Sequence, residues 1–306
     1  MNKNVKRGLM VAGALTTVAA GATYVAIAER VFKDFFIQKK EGFDLGVNID
    51  EYQSILDWYN SSNVYETWIK SNDGLNLHGK RIINHPESNQ WVILLHPLGM
   101  DLTKMLKATM KFDELGYNCL LVDGRGHGQS EGKYTTLGWY EQFDLLTWIN
   151  DLVASYPKVN IVLYGLSYGA VTIMMASSNI VCDNVKVCII DSGFTSLRDL
   201  MVEEVNRNLK FGGKLFLPYL KLIIKNRLKF DMNQLDVRHS LANNYIPMLF
   251  IHSEYDSIVH VDYAYENYYA NNSLKEIITY KNNDHLSCLN NEDYFDKVMK
   301  FIKRHS

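Results

Sequence analysis

Five nearly continuous apolar runs constrain this chain more than any other feature: Gln90–His96 (QWVILLH), Asn118–Asp123 (NCLLVD), Val159–Gly165 (VNIVLYG), Val185–Asp191 (VKVCIID) and Ile246–His252 (IPMLFIH). A strand with one wet face alternates apolar and polar residues, whereas a run that is apolar throughout needs cover on both faces. Amphipathic stretches at about 103–116, 136–156 and 168–179 lie between the runs, each long enough to return the chain for another parallel strand. Lys275–Tyr280 reads as a late strand, and a terminal helix follows from about Glu292. Val64–Ile83, with Asn72-Asp73-Gly74 at its turn, reads as a hairpin that opens the sheet antiparallel. The expected fold is α/β, a mostly parallel sheet of eight strands flanked by helices.

One interval breaks the rhythm. Thr195–Tyr245 places about 50 residues between two core strands, far more than an ordinary connection, and reads as a helical cap over the sheet. Pro218 is placed to begin a helix there, with Lys221, Lys225 and Lys229 four apart along it. Residues 210–229 hold six basic residues and no acid. Such a stripe is either a solvated face or a surface that rests on anionic lipid.

The amino terminus has its own character. Leu9–Ala28 is an uncharged run of 20 residues, about 30 Å as a helix, which matches the apolar thickness of a bilayer. Residues 1–40 carry seven Lys or Arg against two acids. An uncleaved single-pass membrane anchor with a basic linker over 1–40 is the leading expectation, ahead of the α/β domain at 41–306. A signal peptide cleaved after Ala26-Ile27-Ala28, giving a secreted protein, and a helix packed on the domain or lying on a membrane surface are the alternatives. Three basic residues precede the run and four follow it, so the charge rule does not set which side of the membrane the domain occupies.

Composition excludes other classes. Across 306 residues, 32 basic side chains face 34 acidic ones, so there is no broad positive field and nucleic acid is not an expected partner. Cys119, Cys182, Cys188 and Cys288 lie far apart without CxxC spacing and read as reduced core thiols. No HExxH or clustered ligand spacing suggests a metal.

The chemistry centres on Gly165-Leu166-Ser167-Tyr168-Gly169, a GxSxG between the strand VNIVLY and the helical stretch AVTIMMA. In that context the glycines permit a turn so sharp that the serine hydroxyl is exposed on a strained backbone. A hydroxyl needs a base, and the base needs an orienting carboxylate. Asp256 follows IPMLFIH in SEYDSIV, and His285 follows EIITY in KNNDHLSC, so Ser, Asp and His stand in that order at strand ends along one sheet edge. His252 and His260 are rival bases and Asp284 a rival carboxylate, but His252 ends a strand, His260 begins a helix, and Asp284 adjoins His285 too closely to reach its Nδ1. The oxyanion donors are the amide of Tyr168, after the nucleophile, and that of Leu98 in the turn His96-Pro97-Leu98-Gly99, because Pro97 has no N–H. His96 reads as a residue that fixes this turn by bonding backbone, not as a base.

These motifs resemble the α/β-hydrolase fold over about residues 50–306. Besides GLSYG, the run Asp123-Gly124-Arg125-Gly126-His127-Gly128-Gln129-Ser130 resembles its DxRGxGxS loop, and HPLG its HGxG oxyanion turn with Pro in place of the first Gly. Asp284 stands where that fold usually has a Gly before the histidine. The chain is most similar to capped serine hydrolases of the serine aminopeptidase-like and membrane-anchored bacterial groups, which implies fold and nucleophile but not substrate. The expectation is therefore a serine hydrolase, without a cofactor, that cleaves an ester or thioester of a small acyl substrate through an acyl-enzyme on Ser167. A peptidase or amidase in which Glu203 or Glu204 binds a substrate amino group is the alternative, and a binding protein that keeps the fold without the chemistry is a third.

Overall fold

The computed structural model describes residues 21–37, 49–210, 212–281 and 284–306. Its eight strands are β1 (Val64–Lys70), β2 (Asn76–Ile82), β3 (Gln90–Leu95), β4 (Asn118–Val122), β5 (Asn160–Leu166), β6 (Val185–Asp191), β7 (Met248–Ser253) and β8 (Lys275–Tyr280). They form one sheet in the order β1-β2-β4-β3-β5-β6-β7-β8. Pairing is antiparallel for β1–β2 and β2–β4 and parallel for all the rest.

The apolar runs are explained by cover on both faces. In β3, Trp91, Ile93 and Leu95 join one buried cluster, and the alternate Val92 and Leu94 join the other. Helices α4 (Glu141–Ser155), α5 (Tyr168–Ala176) and α9 (Asp262–Ala270) cover the first face, through Trp148, Ile173 and Tyr263 among others. Helices α3 (Leu106–Glu114) and α10 (Tyr294–His305) cover the second. On α10, Tyr294, Val298, Met299, Phe301 and Ile302 are buried, one helical stripe that removes about 1.5–3 kcal/mol of apolar surface per large side chain from water. Helix α2 (Ile49–Ser61) packs beside α3 with Ile55 as its buried residue; it has no counterpart among the sequence expectations.

The long interval after β6 folds above the sheet as α6 (Leu197–Leu209) and α7 (Gly213–Leu228). Its two stems are zipped together: the Leu197 amide donates to Leu235 O at 3.0 Å, the Val237 amide to Thr195 O at 2.9 Å, and Ser196 bridges Asp236. The segment above the sheet thus closes at about 236, and α8 (Val237–Ala242) already lies against α5, where Ser240 Oγ donates to Met175 O. Pro218 does not begin α7 as expected. The helix starts at Gly213, and Pro218 falls in its second turn, where the missing N–H costs one internal bond.

A helix α1 over 21–36 packs onto this cap. Ala28, Val31, Phe32 and Phe36 are buried, and Tyr24 stacks on Phe216 with ring centroids 4.9 Å apart. Of the expected membrane run Leu9–Ala28, residues 9–20 lie outside the described residues, as does 38–48 of the linker region; the remainder opens α1. Among the described residues no helix is long and apolar enough to cross a membrane, so the expected transmembrane helix finds no support there. Cys119, Cys188 and Cys288 are buried free thiols, and Cys182 is a half-buried one.

Candidate active site

Ser167 sits at the junction of β5 and α5 with φ +51° and ψ −110°, a conformation that non-glycine residues adopt only under strain of about 1–3 kcal/mol. Its neighbours explain how the chain gets there. A Cβ on Gly165 would lie 2.5 Å from the backbone carbon of Gly169, and one on Gly169 would lie 2.7 Å from the carbonyl carbon of Leu95. Only glycines let α5 start this close to β5 and β3. The Ser167 amide donates to Asp191 O at 2.7 Å, which ties the turn to β6.

His285 and Asp256 reach this serine from β8 and β7. His285 Nε2 is 3.1 Å from Ser167 Oγ, and His285 Nδ1 is 2.6 Å from Asp256 Oδ2. Asp256 is held by its own loop: its Oδ1 accepts the amides of Ile258 at 2.9 Å and Val259 at 2.7 Å. Burial pushes this carboxyl up, but hydrogen bonds from His252 and His285 and the Val259 amide more than offset it and hold Asp256 below the usual carboxylate range.

The rival residues have other work. His260 is exposed and lies beside Asp262 at 3.1 Å. Asp284 Oδ1 accepts from the Ser257 amide, the Ser257 hydroxyl and the His285 amide at 3.1, 2.8 and 2.7 Å, so it ties the acid loop to the backbone of the base. His252 is buried, with Nε2 2.8 Å from Val259 O and 3.4 Å from Asp256 Oδ2. It thus supports the acid instead of contacting Ser167. In the sequence His252 stands out only as a rival base; its place four residues before Asp256 is the signal of its supporting role.

The turn His96-Pro97-Leu98-Gly99 is braced by two imidazoles. His96 Nδ1 donates to Pro97 O at 2.8 Å, while its Nε2 accepts the Gly124 amide at 3.0 Å. His127 Nε2 accepts the Gly99 amide at 3.2 Å. Both rings must be neutral to accept there, and burial lowers both pKa values, that of His127 to about 3 with His96 adding to the effect. Gly99 has φ +76°. Among the described residues neither the Leu98 nor the Tyr168 amide has a hydrogen-bond acceptor, so two backbone donors remain available beside Ser167 in sequence and topology.

A model of the family described as serine aminopeptidase, S33, matches residues 86–240, which spans half of the chain, the serine turn and the braced loops. The chain belongs to the serine aminopeptidase family. Its fold is that of the α/β-hydrolases. The esterase Pf2001 of Pyrococcus furiosus superposes with a TM-score of 0.65 at 22% identity, covering 88% of this chain and 98% of its own. The acylaminoacyl peptidase of Pyrococcus horikoshii superposes with a TM-score of 0.59 at 19% identity over 83% of this chain and 43% of that one. The uncharacterized protein YqkD of Bacillus subtilis (strain 168) is 25% identical over 302 residues, 97% of each chain.

Within this serine aminopeptidase family chain, the DGRGHGQS loop is structural. Arg125 is buried and pairs with Asp144 through Nε and Nη2 at 2.8 and 2.7 Å and with Asp73 through Nη1 and Nη2 at 2.9 and 3.1 Å. With both edges of its guanidinium taken, it is not a phosphate cradle. Burial works against its charge, but the two carboxylates outweigh burial and keep it protonated. Replacing Arg125 by Met should cost about 3–5 kcal/mol, because Asp144 would be left buried and unpaired; urea unfolding measures it, and a loss under about 1 kcal/mol would contradict the assignment.

Proposed function

We propose that the chain is a serine hydrolase that cleaves a carboxylic ester or thioester through an acyl-enzyme on Ser167. The observation that carries this reading is the relay of 3.1 and 2.6 Å from Ser167 through His285 to Asp256. In acylation, Ser167 Oγ bonds to the carbonyl carbon as His285 Nε2 takes the hydroxyl proton, and the carbonyl electron pair moves onto oxygen. The Leu98 and Tyr168 amides stabilise that oxyanion. Its collapse breaks the bond to the alcohol or thiol, which leaves with the proton from His285. Water then bonds to the acyl carbon as His285 takes one of its protons, the bond from that carbon to Ser167 Oγ breaks as Oγ regains the proton from His285, and the acid is released.

One observation supports an acyl ester over an aminoacyl peptide. Glu204, one candidate for holding a substrate amino group, is already engaged by Arg207 at 2.6 Å and Asn208 at 2.7 Å. The family description favours the peptidase reading. Turnover of short-chain p-nitrophenyl esters against aminoacyl p-nitroanilides separates the two: faster ester cleavage is expected, and amide cleavage at comparable kcat/KM would transfer the conclusion to the peptidase. Failure of the wild-type protein to react with a fluorophosphonate would leave a binding protein.

Asp256→Asn should reduce kcat about 10³–10⁴-fold, since the amide cannot hold His285 in the same tautomer. Its effect on stability has a sign. A carboxyl held below its unfolded value contributes stability that is complete above about pH 4 and is lost as the pH falls. The melting temperature of the wild type is therefore expected to fall more steeply than that of Asp256→Asn when the pH drops below about 4. Parallel declines would mean that Asp256 is not the stabilised acid.

A further inference from the structure

Helices α1 and α7 run side by side in the same sense. Tyr24 meets the start of α7, donating from its hydroxyl to Leu215 O at 2.9 Å and lying against Phe216 and Tyr219. Further along, Glu29 accepts both Nη atoms of Arg227 at 2.8 and 2.7 Å, and Phe32 lies under the same guanidinium at 5.0 Å. Two helices tied at both ends form a rigid unit, and their amino-terminal ends lie together.

The outward face of α7 is unusual. Leu215 is 69% and Leu222 52% exposed, seven residues apart and therefore on one side of the helix. Lys214 and Lys225 are exposed and Lys221 half-buried around them, and among the described residues none of these lysines pairs with a carboxylate. Two bare leucines are costly in water, and lysines without acids repel one another. Both costs reverse at one kind of surface, the boundary of an anionic bilayer, where leucine enters the acyl region and ammonium groups meet phosphate. A protein partner would need acids matched to each lysine, whereas lipid headgroups rearrange to meet them. The uncharged run Leu9–Ala20 leads into the same end of the unit, at residue 21.

We infer that the Leu215–Leu222 face of α7, flanked by Lys214, Lys221 and Lys225, rests on the surface of an anionic lipid bilayer. This contact holds the cap of the hydrolase at the membrane surface and does not require a spanning helix. It is independent of the chemistry assigned to Ser167.

The test reads the face itself, because other parts of the chain could also bind lipid. In the full chain with Cys182→Ser, the other three thiols are buried, so Leu222→Cys can carry an environment-sensitive NBD label. Far-UV circular dichroism checks that the variant is folded. With vesicles of phosphatidylcholine containing roughly 30% phosphatidylglycerol, the emission should rise severalfold and shift to the blue. It should change little with phosphatidylcholine alone, or at about 1 M salt, where charges are screened beyond about 3 Å. The same label at Val181→Cys, a position 94% exposed on the connection entering β6, should stay unchanged. Lys221→Glu with Lys225→Glu should weaken the response at least tenfold. A flat signal at 222 while the protein still sediments with vesicles overturns the proposal. So does a signal that follows protein concentration without lipid, which would make the occupant a second copy of the chain.

Discussion

Ser167→Ala is expected to lower kcat/KM for a p-nitrophenyl ester by about 10⁴-fold or more and to abolish fluorophosphonate labelling, with little change in melting temperature. In the proposed mechanism the hydroxyl carries the reaction, but it accounts for little of the fold, since the Ser167 backbone bonds to Asp191 O and Val171 N remain. Labelling that persists in the alanine variant would remove Ser167 from the mechanism. A companion substitution tests the strain. Glycine accepts φ +51° without penalty, so Ser167→Gly should relieve about 1–3 kcal/mol, of which roughly 0.4–1 is returned through the freer unfolded chain. The glycine variant should thus melt above the alanine variant while being equally inactive; a lower melting point would mean that the turn is relaxed.

Gly169→Ala should be the more damaging change to the fold. The added methyl would meet the carbonyl carbon of Leu95 at 2.7 Å, and Leu95 belongs to β3, paired on both sides by β4 and β5. A flexible side chain could swing away, but a carbonyl in the middle of a sheet cannot. A loss of about 3–5 kcal/mol in urea unfolding is expected, the magnitude reached when overpacking displaces backbone. Residual folded protein should also lose activity, because α5 carries the Tyr168 amide and is the wall against which Ser167 turns. Stability within about 1 kcal/mol of the wild type would show that α5 can retreat, and the close approach would lose its meaning.

The strands were legible because each central run had to be apolar on both faces, and that pattern survives without any knowledge of neighbours. Ser167, Asp256 and His285 were legible because each follows a strand, and parallel strands deliver their ends to one edge. The structure brings them within hydrogen-bond distance, although 118 residues separate Ser167 from His285. Helix α2 was legible but unread: Tyr52, Ile55, Leu56 and Tyr59 recur at helical spacing, and Tyr52 and Tyr59 pack with Ile55 against the second core cluster. The start of α7 is not legible because Pro218 is a strong local signal, whereas the actual start depends on Gly213 lying under Val202 of α6, a contact outside any local pattern. In the sequence His127 is only one residue of a glycine-rich loop. That it would accept the Gly99 amide depends on two loops meeting, and no single stretch of sequence contains that fact. The same holds for Tyr294, whose hydroxyl bonds to Asp191 at 2.8 Å beneath the serine turn.

Asp123 joins several of these loops. Its Oδ1 accepts the Leu102 amide at 2.9 Å, and its Oδ2 accepts the Gln129 amide at 3.0 Å and His78 Nδ1 at 2.7 Å. One carboxylate therefore measures the length of two segments at once. An extra residue inserted between His96 and Leu102, or between Gly124 and Gln129, would drag a donor off it and carry Gly99 away from His127. Lineages of this protein are thus expected to keep both segments at constant length, and to take up insertions and deletions where no such gauge operates, as around the open loop at Val181.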